Sequence, residues 1–197
     1  MPLTHVPPPE HMRQELLARL PDFVNQSDPV AGDLYNANEG HQVYLLTSKD
    51  LLAGAGLSAV KDAGWRFIST ATPGGQGAAA HVSKRSDGTS GMRGISHGPE
   101  IAAAVRAANE IASLPQLAGD QHYKLWVLRV PSVLVEAYWL KSPAGNKDWI
   151  VPYLATCARI ELMKAYPVKE FLDILRTLAQ EFRAFDDTAD QKGLRPY

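Results

Sequence analysis

The passage from Tyr123 to Leu154 constrains the fold more than any other part of the chain. It reads YKLWVLRV, then PSVLVEAYWLKS and, after Pro143, Ala144, Gly145 and Asn146, KDWIVPYL, and it holds three of the four tryptophans and three of the seven tyrosines. Runs of β-branched, aromatic and long aliphatic residues fill a pleated, packed surface. Three strands joined by short turns are therefore expected, with the helical patterns before and after them serving as cover.

The flanking segments supply that cover. Residues 1–9 carry four prolines and read as an extended arm. Met12, Leu16, Leu17 and Leu20 recur at helical spacing until Pro21, and the Asn, Asp, Gly and Ser of residues 22–40 read as a surface loop. HQVYLL at residues 41–46 reads as a strand. Thr47 with Asp50 resembles a capping box that opens a helix over 48–63, with Gly64 as its stop. WRFISTA (65–71) and GAAAHVSK (77–84) read as strands paired antiparallel across a turn, and residues 89–96 carry only a weak pattern.

Gly98, Pro99 and Glu100 form a helix start, followed by an apolar stripe of Ile101, Ala104, Val105, Ala108, Ile111 and Ala112. Residues 156–166 read as a short helix or a turn of one. After Pro167 comes the clearest helix, with Val168, Phe171, Leu172, Leu175, Leu178, Phe182 and Phe185 along one side. Residues 186–197 have no apolar period and read as a frayed tail, which leaves 10–185 as a single α+β domain.

Composition narrows the function classes. Twenty Lys and Arg against 21 Asp and Glu give a net charge of −1, so no electrostatic attraction to nucleic acid or to an acidic membrane is implied. Cys157 is the single cysteine and has no internal disulfide partner; with no signal-like N-terminus, a reducing cytoplasm is the expected setting. No apolar run approaches the length of a membrane span.

Several local patterns resemble chemical motifs without their context. Gly75 to Ala80 matches G-x-G-x-x-A, but the segment after it is too short for the helix that a dinucleotide site requires. Asp87 to Met92 approaches G-x-S-x-G around Ser90, with Met92 in place of the second glycine. The six histidines show no metal-ligand spacing, and Cys157 reads as a small apolar residue; no metal and no cofactor is expected.

Three residues stand out as candidate binding groups. His97, next to a helix start, and Arg93, four residues upstream of it, form a loop suited to an anion. Glu136 interrupts VLVEAYWL on the side of Leu134, Tyr138 and Leu140. A carboxylate in such a run lies either on a solvent face or in a buried site with a raised pKa.

The elements add up to an α+β domain with a mainly antiparallel sheet of about five to six strands covered by amphipathic helices. The later order, two strands, helix, three strands, helix, resembles that of the profilin-like and roadblock or longin-type folds. The functional reading that follows is a non-catalytic interaction or scaffold protein, meeting a protein partner or forming a homodimer through the sheet or the Ala-rich helix. The alternative is a small enzyme or ligand-binding domain with a pocket for a small molecule, built by residues 72–77 and 93–100 and Glu136. Convergence of Arg93, His97 and Glu136 would mark that alternative.

Overall fold

The computed structural model describes residues 3–4, 6–24, 34, 40–69, 77–117, 122–145 and 147–191, and of 184–191 the backbone alone. The fold is α+β, built on one mixed sheet. Its strands are β1 (Leu3–Thr4), β2 (Gly40–Leu45), β3 (Lys61–Ser69), β4 (Gly77–Lys84), β5 (Ser90–Gly98), β6 (Tyr123–Val130), β7 (Val135–Lys141), β8 (Trp149–Ala155) and β9 (Tyr166–Pro167). The four α-helices among the described residues are α1 (Glu10–Arg19), α2 (Ser48–Leu52), α3 (Pro99–Glu110) and α4 (Val168–Gln191). None of them is long and apolar enough to cross a membrane.

The strands lie in the order β5-β4-β3-β2-β6-β7-β8-β9, and β1 pairs with β6. Most pairs are antiparallel, but β2 and β1 both run parallel to β6. Because β7 lines the other side of β6 from Lys124 to Val130, β1 and β2 share one side of it. The sheet is thus larger than the five to six strands expected, with nine among the described residues, and mixed. Three strands, not two, lie between α2 and α3, so the profilin-like or roadblock-like element order is not kept.

The additional strand is β5, where residues 89–96 carry only a weak pattern. Gly91, Gly94 and Gly98 dilute its apolar alternation, and its conformation comes from eight residue pairings with β4. The helix expected over 48–63 stops at Leu52. Thr47 caps it as expected, accepting from the Asp50 amide at 3.2 Å, but Gly54 at φ +77° turns the chain out and β3 begins at Lys61. Gly64, expected to stop that helix, lies inside β3 at φ +99° beside an irregularity in the β2 pairing. Residues 156–165 form turns instead of a helix, tied by Met163 N–H to Pro152 O at 2.9 Å and by the Glu161 amide to the Tyr166 hydroxyl at 2.9 Å.

Helices cover both faces. On one face α3 packs Ala104, Ala107 and Ile111 onto Val43, Val127, Tyr138 and Val151. On the other, α1 places Met12 and Leu16 on Trp65, Phe67, Ala80 and Val82, and α4 places Phe171, Leu172, Leu175 and Leu178 over Ala137, Trp139 and Ile150. The alanines of α3 let its backbone approach the sheet closely: the Tyr138 hydroxyl donates to Ala104 O at 3.0 Å.

Candidate functional site

Arg66 and Glu136, the two buried charged side chains among the described residues, share the face under α3. Strand alternation puts Glu136 there with Tyr138 and Leu140, as its position in VLVEAYWL predicts. Arg66, which alternates against Trp65 and Phe67 on β3, points to the same face. Its Nη1 donates to Glu136 Oε2 at 2.9 Å and its Nη2 to Glu136 Oε1 at 3.2 Å. Tyr153 joins them. Its hydroxyl accepts from Arg66 Nη1 at 2.9 Å and donates to Glu136 Oε2 at 3.0 Å. Arg129, directly opposite Glu136 on β6, brings Nε within 2.7 Å of Oε1 as an ion pair.

Local irregularities aim two of these polar groups. Glu136 pairs with Leu154 and Ala137 with Pro152, so Tyr153 is the extra residue of a bulge, turned toward Glu136. His81 pairs with Gly94 and Val82 with Met92, so Arg93 is the extra residue of β5, and its Nε donates to Ser83 Oγ at 2.8 Å.

Charge in the network is settled by its members. Glu136 is buried, which by itself raises its pKa, but the charge and hydrogen bonds of Arg66, the charge of Arg129 and the Tyr153 hydroxyl hold it below the ordinary carboxylate value. The raised pKa expected for a buried Glu136 is thus reversed, because two guanidiniums accompany it. Burial opposes the charge on Arg66, yet Tyr153 and Glu136 keep its pKa above the usual value. Burial raises both the Tyr153 and Tyr138 phenols. His81, paired with Arg66 across β3 and β4, is pushed down to about 4 by burial and by the charges of Arg66 and Arg129. It is neutral at pH 7, with Ser96 Oγ 3.4 Å from its Nε2.

Of the three sequence candidates, only Glu136 belongs to this buried network. Arg93 and His97 lie on β5, at the far end of the strand order, with β4, β3, β2 and β6 between them and β7. His97 is exposed and pairs with Ala78, whose side chain packs on the α1 face. The anion loop is not formed either: residues 93–98 are strand, and the Glu100 carboxylate lies against Gly98 at the start of α3. Residues 72–76 of the expected pocket fall outside the described residues, and Gly77 opens β4. Arg66, Arg129, His81 and Tyr153 were not singled out from sequence. The available signal was the one Glu136 gave, a polar residue inside an apolar strand.

A second feature lies at the end of the sheet where β7 begins and β8 ends. Val135 pairs with Ala155 there, and Pro131–Val133 forms a 3-10 turn that packs on α4. The next residue, Leu134, sits at φ 52°, ψ 50° and is 58% exposed. At the same end α4 continues its apolar stripe past Ala179, buried, to Phe182, 45% exposed. Thr156, Cys157, Leu178, Glu181 and Phe182 line a notch of about 450 Å³. Arg159 Nη1 to Glu181 Oε1, 2.7 Å, pairs charge beside it.

Among the described residues no three His, Cys, Asp or Glu side chains are grouped to hold a metal ion. No protein-family model, no curated protein and no solved structure matches the chain.

Proposed function

We propose that this is a non-catalytic interaction protein that engages another protein, a partner chain or a second copy of itself, through the end of the sheet formed by Leu134, Cys157 and Phe182. Leu134 carries this reading. A left-handed conformation costs a non-glycine residue roughly 1–2 kcal/mol, and glycine or asparagine is the usual occupant. Leucine there, 58% exposed, gains little packing within the chain to offset that strain. A contact outside the chain supplies the missing gain. The apolar stripe of α4 that runs on to an exposed Phe182 supports the same surface.

The Ala-rich helix is not the contact surface in this reading, because its apolar side faces its own sheet through Ile101, Ala104 and Ala107. A reducing cytoplasm belongs to the reading too, supported by the single thiol of Cys157. Native mass spectrometry after gentle purification from the chain's own host tests it. The expected result is a stoichiometric second protein mass that is lost in Phe182→Asp. A monomer carrying a small molecule, or a complex indifferent to Phe182→Asp, would overturn it.

A further inference from the structure

The face under α3 holds more positive charge than its own carboxylate balances. Arg66, Arg129 and Arg93, the last fixed on Ser83, stand on it with Glu136 as their carboxylate among the described strand residues, and His81 is uncharged. Register aligns the three along the strands, with β4, β3 and β2 lying between the strands of Arg93 and Arg129. Ser83 is two residues beyond His81, the partner of Arg66, and a Cβ on Gly64 would meet the Ser83 backbone at 2.6 Å. Gly64 pairs with Val43, Val43 with Val127, and Arg129 is two residues further along the same side of β6. The Ser83 row therefore runs between the row of Arg66 and that of Arg129.

The guanidiniums also keep unused donors. Arg129 meets Glu136 through Nε, no hydrogen bond joins its Nη groups to a described residue, and its side chain is 38% exposed. Arg66 is buried, and its Nε has no hydrogen-bond partner among the described residues although both Nη groups do. A buried donor left unpaired is uncommon in a folded chain. α3 adds little charge, since Glu100 lies against Gly98 and Arg106 is exposed.

We infer that this face binds a small oxyanion, a phosphate or carboxylate group, over Arg129 and Arg93 with Arg66 behind it. Arginine forks suit such groups because paired N–H donors match two oxygens at once. The site goes beyond the interaction reading and stands without it.

Isothermal titration with inorganic phosphate, and separately with acetate, at pH 7 and constant ionic strength in chloride tests the site. Saturable one-to-one binding of either probe is expected, roughly tenfold or more weaker in Arg129→Gln and in Arg93→Gln and unchanged in Lys169→Gln on α4. Arg129→Lys keeps the charge without the fork and should bind between wild type and Arg129→Gln. Thermal melts of each variant establish that it is folded. Absence of saturable heat with both probes, or equal weakening in Lys169→Gln, would overturn the proposal.

Discussion

Arg66 on β3 and Glu136 on β7 are joined by two hydrogen bonds, 2.9 and 3.2 Å, although β2 and β6 lie between their strands. The pair spans the parallel junction of the sheet, where β2 meets β6. It ties the hairpin strands β3 to β5 to the central strands β6 to β8 at a place where no turn connects them.

Breaking that pair from the acid side leaves two guanidiniums facing each other, one of them buried. Glu136→Gln should therefore destabilise the fold by about 3–5 kcal/mol. Arg66→Met should cost less, because Glu136 keeps Arg129. Urea unfolding of the two single variants and the double variant checks this, with a coupling energy well above zero expected from the cycle.

Acid should weaken the fold in two stages. The folded pKa of His81 lies at about 4, below its ordinary 6.5, so the unfolded chain binds the proton more readily. Its contribution is complete above pH 6.5 and is lost as pH falls toward 4, at most roughly 3 kcal/mol. Glu136, also depressed, adds a further loss as pH falls below the ordinary carboxylate range. Urea midpoints from pH 8 to 3 should show the first stage in wild type and not in His81→Gln.

Leu134→Gly should raise stability while weakening association. Glycine removes a left-handed penalty of roughly 1–2 kcal/mol and adds chain entropy to the unfolded state worth roughly 0.5–1 kcal/mol, leaving a gain of about 0.5–1 kcal/mol. Thermal melts of the isolated chain read the gain, and recovery of the second protein on purification reads the loss.

Asp148 pins the hairpin of β7 and β8. It accepts from Trp139 Nε1 at 2.9 Å and from the Ser142 amide at 2.9 Å, and pairs with Lys141 at 3.1 Å. Asp148→Ala should cost about 1.5–3 kcal/mol, seen as a lower urea midpoint with Trp139 more exposed in fluorescence.

What could be read in advance followed chemical distinctness at short range. VLVEAYWL marked Glu136 as a carboxylate among apolar neighbours, and it is buried. Its partner Arg66, 70 residues away, carries the same kind of signal, but nothing in either segment encodes that the two share a face. The bulge that aims Tyr153 lies in the register between β7 and β8, a property of two strands together. β5 shows the same limit: SGMRGISHG acquires its strand from β4, through backbone pairing that its glycines permit and its side chains do not announce. α4 was legible because its stripe of large apolar residues is continuous. The point where that stripe leaves the sheet, between Ala179 and Phe182, appears only with the strands in place.

The most direct test of the interaction surface is hydrogen exchange, comparing the co-purified assembly with the isolated chain. Slowed exchange confined to amides of residues 131–135, 156–162 and the last turns of α4 is the predicted result. Protection along the free edge of β5 instead, or no protection at the Leu134 end, would contradict it.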